Sequence, residues 1–157
     1  MKDTGGLNMK TWDEYYFNIC KAVGSNSKCL SRQIGAILVR EKVIICTGYN
    51  GPPRGVPHCK GNICPRRAKG FESGKGLHLC PAAHAERNAI VQAARLGIPV
   101  KDSTLYLNTN TPCKDCLIEV INSGIKEVVC TEMTLYDELS YFLLNNSKLK
   151  VRVFSHL

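Results

Sequence analysis

The spacing of hydrophobic residues divides the chain into alternating helices and strands. Apolar side chains recur at helical spacing over Trp12–Val23, His84–Leu96 and about Leu135–Leu144. Two runs rich in β-branched residues, Ile34–Val39 and Val43–Thr47, flank a short turn and predict a hairpin. The other predicted elements are a strand at Thr104–Asn108, a helix from Pro112 to about Ser123, and strands at Val128–Cys130 and Val151–Phe154.

This order of elements predicts an α/β protein. Strands that alternate with helices favour one largely parallel sheet of five strands, begun by an antiparallel hairpin, with helices on both faces. A chain of 157 residues is typical of a single domain, here residues 1–157. Between Gly48 and Pro81 neither the helical nor the strand period is present. So long a loop is expected to be functional, held by metal or disordered, and its Cys-rich part at about 51–81 is predicted to be an insertion.

Composition excludes some classes of protein. Apolar residues make up 44% of the chain and charged residues 22%, which is inconsistent with wholesale disorder. No apolar run approaches the roughly 18 residues of a membrane span. The start of the chain, Met1 to Lys10, is polar and lacks the apolar segment of an export signal, so we expect a cytoplasmic protein.

Charge and cysteine content indicate the ligands. A net charge of +8 suits an anionic ligand such as a nucleotide. The Lys and Arg residues are spread along most of the chain without a basic block, so a nucleic-acid partner is the less favoured interpretation. Nine cysteines, an odd number, in a chain predicted to lie in a reducing compartment favour metal binding over disulfides.

The first candidate metal site combines two short motifs at predicted helix starts. His84 and Glu86 open one helix, and Cys113 and Cys116 follow Pro112 at the start of another. Residues three apart share a helix face, and the positive end of a helix dipole favours thiolates. One imidazole and two thiolates suit Zn²⁺ with an open fourth position, where a bound water becomes acidic. Glu86 is placed beside such a metal as a proton shuttle.

The combined pattern His-x-Glu and Pro-Cys-x-x-Cys is a known signature of zinc nucleobase deaminases. The chain is similar to the deoxycytidylate (dCMP) deaminase family, including its competence-associated, ComE-like branch. Deaminases of the small family that acts on free cytidine resemble this chain but carry the motif Cys-x-Glu at the position where this chain has His84. The segments that carry the resemblance are Gly48–Pro53, His84–Ile90, Pro112–Cys116 and Ser123–Lys126.

The resemblance implies a fold and an activity. The fold would be a three-layer α/β/α cytidine-deaminase-like sandwich around a five-stranded mixed sheet. The reaction would be hydrolysis of dCMP to dUMP and ammonia in pyrimidine deoxynucleotide metabolism, with Glu86 moving protons from water to ring N3 and to the departing amine. The family also implies a homo-oligomer, with a hexamer favoured, and regulation by dCTP and dTTP.

A second group of cysteines lies in and around the long loop. Cys29, Cys59, Cys64 and Cys80 would form a closed structural zinc site that orders a segment poor in apolar residues. Some members of the resembled family carry a second zinc near these positions. Either His58 or His78 could replace one of the cysteines as a ligand, and free cysteines in a flexible loop are the alternative interpretation.

Residues that bind the substrate are less clearly indicated. Asn50 resembles a substrate-contacting residue of the family and is predicted to hydrogen-bond the sugar, or else to occupy a left-handed turn position. Arg95 ends the predicted helix that His84 begins, as a phosphate ligand or as a cation favoured by the helix dipole. The other candidates for binding a phosphate are Lys28, Arg32, Arg54 and Lys75.

Two other functions fit parts of the pattern. A tRNA adenosine deaminase resembles the same two metal motifs, but the second cysteine group and Gly48–Pro53 speak against it. A zinc-bearing DNA-binding module of DNA uptake would suit the basic charge. A closed structural zinc site would need neither Glu86 nor an open coordination position.

Overall fold

The computed structural model describes residues 11–59, 64–135 and 137–155. The polar start, Met1 to Lys10, and residues 60–63 of the Cys-rich segment lie outside the described residues. The helices are α1 (Trp12–Gly24), α2 (Pro65–Ala68), α3 (Ala85–Leu96), α4 (Lys114–Asn122) and α5 (Glu138–Asn145). The strands are β1 (Gly35–Arg40), β2 (Val43–Tyr49), β3 (Thr104–Leu107), β4 (Glu127–Cys130) and β5 (Lys150–Val153).

The five strands form one mixed sheet in the order β2-β1-β3-β4-β5. β1 is antiparallel to both β2 and β3, whereas β3, β4 and β5 are parallel to one another. The expectation of a largely parallel sheet is therefore wrong for half of its ladders. The helical crossover through α3 makes β3 parallel to β2, but β1 of the hairpin lies between these two strands and pairs with both in the opposite direction.

Helices cover both faces of the sheet, as predicted. Alternate residues of β1 point to opposite sides, so Ile37 and Val39 pack with α1, whereas Ala36 and Leu38 pack with α3. α4 lies beside α3, and α5 packs along α4. Both cores consist mainly of fully buried aliphatic and aromatic side chains. This three-layer arrangement fixes the start of α3 against the sheet.

Local signals in the sequence explain the element boundaries. Thr11 and Glu14 form a reciprocal capping box that starts α1. Glu41 and Lys42 have positive φ angles of 52° and 65°, which suits the tight turn between β1 and β2. Asp137 accepts a hydrogen bond from the Ser140 backbone N–H at 2.7 Å, so α5 begins three residues later than predicted.

Two other predicted boundaries are wrong. The segment from Gly48 to Pro81 contains α2 and a 3₁₀ turn at Leu77–Leu79, where no regular structure was expected. A Pro at the first helical position is the signal for α2. The helix after Pro112 begins at Lys114, because Cys113 occupies the extended position that precedes it.

None of the helices that the structure describes is both long enough and apolar enough to cross a lipid bilayer.

Candidate active site

The starts of α3 and α4 bring the predicted metal ligands together. His84 occupies the extended position before α3, and Cys113 occupies the same position before α4. Cys116 lies in the first turn of α4 and is buried. Within the described ranges, His84, Cys113 and Cys116 form the one group of three or more His, Cys, Asp or Glu residues with all ligand atoms within 4.8 Å of one another.

The interatomic distances fit a tetrahedral zinc ion. The Nδ1 atom of His84 lies 3.3 Å from the Cys116 Sγ atom and 3.5 Å from the Cys113 Sγ atom. Zinc–nitrogen bonds of about 2.0–2.1 Å and zinc–sulfur bonds of about 2.3 Å at a tetrahedral angle would separate nitrogen from sulfur by about 3.6 Å. The three side chains can therefore converge on one zinc ion without rearranging.

The two thiols are electrostatically different. A hydrogen bond from Cys116, together with one from His84, lowers the pKa of Cys113 to about 4 despite its partial burial. The hydrogen bond to Cys113 and burial raise the pKa of Cys116. The hydrogen bond to Cys113 also raises the pKa of His84. A metal cation can displace the proton that this thiolate and imidazole share, because both groups bind zinc in their deprotonated forms.

Glu86 lies in the first turn of α3, two residues after His84. Its side chain is only 5% exposed, and burial raises the pKa of its carboxyl group. Glu86 forms no ion pair with any Lys or Arg residue that the structure describes. A buried carboxyl group with a raised pKa is suited to taking up and releasing a proton.

A cavity of about 570 Å³ opens beside these residues. Its wall includes His84, Glu86 and Cys113 from the candidate metal site, with Asn50 and Arg32 from the hairpin side. The volume is of the size that small-molecule sites commonly have, roughly 300–1,000 Å³. The candidate catalytic carboxyl group thus faces a space that can hold a nucleotide.

Asn50 holds the loop that precedes β1. Its Oδ1 atom accepts a hydrogen bond from the Ile34 backbone N–H at 2.9 Å, and its Nδ2 donates to the Arg32 carbonyl at 3.0 Å. The alternative prediction of a left-handed turn is wrong, because the described non-glycine residues with positive φ are Glu41, Lys42 and Asp102. Asn50 lines the cavity and keeps one amide N–H beyond these two bonds.

The structure brings one of the predicted phosphate-binding cations to the cavity. Arg32 lines it, whereas Arg95 lies in the last turn of α3, about 13 Å along the helix axis from Glu86 at about 1.5 Å per residue. Arg54 donates to the Gln92 side chain instead. Lys28 and Lys75 do not line the cavity.

Arg66 lines the cavity and was missed by the sequence interpretation. Nothing in Cys64-Pro65-Arg66-Arg67 separates the first arginine from the second. The signal that could have found it is the helix start at Pro65. Two consecutive arginines in one helical turn point in different directions, so only one of them can face the cavity.

The four remaining candidate ligands lie near one another without forming a compact cluster. Cys59 and Cys64 share a hydrogen bond, and Cys59 is close enough to Cys29 and Cys80 for their charges to act on it. Burial raises the pKa of Cys59, whereas the backbone N–H of Arg67 lowers the pKa of Cys64. All four are free thiols. His58 is exposed, and the ring of His78 packs edge-on to that of Phe71.

A protein-family model matches residues 10–132, a range that contains every residue of the candidate metal site. The model describes the cytidine and deoxycytidylate deaminase zinc-binding region. The match therefore covers both helix starts and the Cys-rich segment between β2 and α3.

Curated relatives include deoxycytidylate deaminases from very different hosts. The one from Saccharomyces cerevisiae is 37% identical over 154 residues, 98% of this chain, although the chain spans only 48% of that protein. The one from Mycobacterium phage D29 is 37% identical over 128 residues, which cover 78% of this chain and 96% of the phage protein. ComE operon protein 2 of Bacillus subtilis is 32% identical over 122 residues, covering 78% of this chain and 60% of that protein.

A solved structure has the same fold over nearly its whole length. The crystal structure of dCMP deaminase from the cyanophage S-TIM5, in complex with dCMP and dUMP, superposes with a TM-score of 0.72 at 26% sequence identity. The superposition covers 93% of this chain and 99% of the phage chain. The predicted three-layer fold is thus confirmed.

Proposed function

The chain belongs to the cytidine and deoxycytidylate deaminase family, and we propose that it hydrolyses dCMP to dUMP and ammonia. The observation that carries the proposal is the metal-fitting group of His84, Cys113 and Cys116, together with the buried carboxyl group of Glu86, at a cavity that His84, Cys113 and Glu86 line. The similarity to a phage deoxycytidylate deaminase over 96% of its length supports the choice of substrate. The basic net charge of +8 suits a phosphorylated substrate.

His84, Cys113 and Cys116 would hold the zinc ion. Zinc with three protein ligands supplies a Lewis acid that makes a water molecule acidic near pH 7. The remaining chemistry belongs to the protein. The cavity wall holds the base near the three ligands, and its apolar lining limits the entry of bulk water.

Glu86 would carry the protons of the reaction. A carboxylate oxygen of Glu86 takes one proton from the attacking water and delivers it to N3 of the cytosine ring, which makes C4 electrophilic. Hydroxide adds to C4, and the same carboxylate oxygen takes the second proton from the new C4 hydroxyl group. It passes this proton to the exocyclic amine, which leaves as ammonia while the C4 carbonyl forms. Its burial supports this role, because a raised pKa lets the carboxyl group hold each proton between taking it up and delivering it.

Asn50 would position both the substrate and the loop that it braces. Two of its hydrogen bonds fix the Arg32–Ile34 backbone, and its spare amide N–H is available to a hydroxyl group of the sugar. Because one side chain would serve both purposes, its loss would weaken substrate binding even if the sugar contact were minor.

Cys29, Cys59, Cys64 and Cys80 would bind a second, structural zinc ion. Their proximity supports this proposal, because Cys29, Cys64 and Cys80 all lie close enough to Cys59 to act on its thiol, and the segment around them is poor in apolar side chains. Zinc would replace the missing hydrophobic core of residues 51–81. Four cysteines are favoured over a set with His58 or His78, since His58 is exposed and the ring of His78 packs edge-on to that of Phe71.

The protein would act as a cytoplasmic homo-oligomer, with a hexamer favoured, and would respond to dCTP and dTTP. Exposed apolar side chains on α5 support association with further copies, because Leu139, Tyr141 and Phe142 are all exposed on this one short helix. The effectors rest on the family resemblance and on the basic charge.

Ammonia release tests the proposed function. Zinc-loaded full-length protein is given dCMP with and without dCTP, and with deoxycytidine and CMP as competing substrates. We expect ammonia and dUMP in equal amounts from dCMP. Folded, zinc-loaded protein that leaves dCMP unchanged but forms inosine on tRNA would instead be an adenosine deaminase, and salt-sensitive DNA binding without any deamination would indicate a DNA-binding module.

A further inference from the structure

Arg66 is a buried arginine in a segment exposed to solvent. Its relative exposure is 7%, although its neighbours Pro65 and Arg67 are exposed. Two of its N–H groups donate to backbone carbonyls, from Nε to Lys75 at 2.6 Å and from Nη2 to Glu72 at 3.0 Å. A guanidinium group has five N–H donors, so these two bonds fix its orientation and leave other N–H donors for a ligand.

The charge of Arg66 has no carboxylate partner in the described parts of the chain. The ion pairs there join Arg87 to Glu119, Lys114 to Asp115, and Arg152 to Asp13 and Glu127. A buried cation without a counter-charge is costly, and an anion bound beside it would offset that cost.

Arg66 faces the same cavity as the candidate catalytic carboxyl group. Glu86 and Arg66 both line this cavity of about 570 Å³, and Arg32 lines it as well. The backbone of Arg32 is held by Asn50, so both arginines start from fixed backbone positions. The surrounding segment, residues 51–81, contains six Lys or Arg residues against one Glu. The part of the cavity wall that Arg32 and Arg66 form is therefore positively charged.

We propose that Arg66, together with Arg32, binds the 5′-phosphate of the substrate and makes the site select nucleotides over nucleosides. This assignment rests on the proposed function, since it concerns the substrate of the same site. A planar guanidinium group held at Nε and Nη2 can present its remaining donors to two phosphate oxygens. Arg32 would add a second charge from the hairpin side of the cavity.

The experiment compares a nucleotide with its nucleoside. The values of kcat/KM for dCMP and deoxycytidine are measured by ammonia release for zinc-loaded wild type, Arg66→Gln, Arg66→Lys and Arg32→Gln. Loss of a charged hydrogen bond to phosphate is expected to lower kcat/KM for dCMP about 10- to 100-fold, mainly through KM. The value for deoxycytidine should fall far less, so that the ratio of the two drops. Arg66→Lys keeps the positive charge but loses the planar set of paired donors. Its ratio of kcat/KM for dCMP to that for deoxycytidine should lie between the ratios of wild type and Arg66→Gln.

Arg67→Gln is the matched control. Arg67 carries the same charge one residue away, donates to the Leu30 carbonyl at 2.8 Å and does not line this cavity. Its loss should leave the ratio between dCMP and deoxycytidine close to the wild-type value. A fall in the ratio equal to that of Arg66→Gln would show that general electrostatics of the segment, rather than a phosphate contact, sets the preference.

Calorimetric titration with dUMP and deoxyuridine provides a readout that does not depend on turnover. Wild type should bind dUMP more tightly than deoxyuridine, and Arg66→Gln should lose this difference. If Arg66→Gln weakens both ligands and both substrates equally and also loses zinc, Arg66 is a structural residue and the assignment is wrong. If zinc-loaded wild type does not deaminate dCMP, the proposed function fails. Tighter binding of dUMP than of deoxyuridine that Arg66→Gln abolishes would still support the phosphate site.

Should Arg66→Gln fail to fold, Arg66→Lys and Arg32→Gln decide the matter by the same ratio. An unchanged ratio in both would overturn the proposal.

Discussion

Gly48 on β2 lies so close to Ala89 on α3 that no other residue fits at position 48. A Cβ atom at Gly48 would lie 2.3 Å from the Ala89 backbone nitrogen and 2.6 Å from the Ala85 carbonyl oxygen. All of these atoms belong to backbone, so no side-chain rotation can relieve the contact. The strand therefore determines where α3 lies. Glu86 lies in the first turn of α3, and His84 immediately precedes the helix.

Gly48→Ala is expected to destabilise the protein and to impair catalysis together. Overpacking of this kind costs about 1–3 kcal/mol of unfolding free energy. A displacement of about 1 Å at the start of α3 can lower kcat by about 100-fold, because Glu86 and His84 move with the helix. Urea unfolding and ammonia release from dCMP measure the two effects.

The matched control for this substitution is Gly51→Ala, just after the end of β2. A Cβ atom there would come no closer than 3.6 Å to the Tyr49 ring, and its φ angle is not positive. We expect its unfolding free energy to stay within about 0.5 kcal/mol of wild type. A Gly48→Ala protein as stable and active as Gly51→Ala would mean that the close packing of β2 on α3 does not position the site.

Most of the fold could be predicted because the core elements follow clear periods. The Trp12–Val23 pattern predicted α1 to within one residue of its end, and the hairpin strands lie where the β-branched runs are. The antiparallel pairing of β1 with β3 could not be predicted, since the strands do not specify their neighbours by period. The short helix at Pro65–Ala68 is too brief to leave a helical pattern.

The proposed metal ligands could be identified from the sequence, whereas the arginine proposed to bind phosphate could not. His84, Cys113 and Cys116 are marked by residue type and by their places at helix starts, so chemistry and spacing agree. Arginine occurs for many reasons on a basic surface. Only tertiary packing separates Arg66, which is buried at the cavity, from Arg95, which is exposed at the far end of α3.

Glu86→Gln should abolish turnover and leave the metal in place. The amide keeps the shape of the side chain but cannot carry protons, and the loss of general acid–base catalysis is worth about 100- to 10,000-fold in rate. Zinc content should equal that of wild type, because the ligand residues are intact. Metal analysis and dCMP turnover on the same preparation measure both quantities.

Asp115→Asn removes a carboxylate of equal charge from the first turn of α4, the neighbouring helix start, and serves as the control. Asp115 is exposed and pairs only with neighbouring Lys114 among the described residues. We expect it to retain wild-type activity. An active Glu86→Gln enzyme would remove Glu86 from the mechanism. A Glu86→Gln protein without zinc would not test the proton role of Glu86, and Glu86→Asp would then be the next variant.

Metal analysis should give two zinc ions per chain, one for each cysteine group. Cys116→Ser should lose one ion and all activity, because the catalytic group would keep only two strong ligands. Cys64→Ser should lose the other ion and destabilise residues 51–81, which limited proteolysis would detect. Cys46→Ser changes a buried cysteine of β2 outside both groups and should keep both ions. One zinc per chain in wild type would exclude the second site.

Asp13 and Arg152 join the first helix to the last strand, and this ion pair should make stability depend on acid pH. Arg152 donates to Asp13 at 2.5 and 3.2 Å across 139 residues, and Tyr106 donates to the same carboxylate at 2.8 Å. The hydrogen bond from Arg152 lowers the pKa of Asp13 below its ordinary value of 3.8. Since the folded state holds the charged form, the contribution is full above that value and is lost as pH falls through the lowered pKa.

A double-mutant cycle with Asp13→Asn and Arg152→Gln isolates the pair from other titrating groups. The pair is partly exposed, so we expect a coupling free energy of about 0.2–1 kcal/mol at pH 7, measured by urea unfolding. It should stay constant down to about pH 5 and fall towards zero as the pH drops through the lowered pKa of Asp13. High salt should weaken it at neutral pH because both side chains are accessible to ions. A coupling that persists unchanged in acid would mean that packing of the two side chains, rather than their charges, joins α1 to β5.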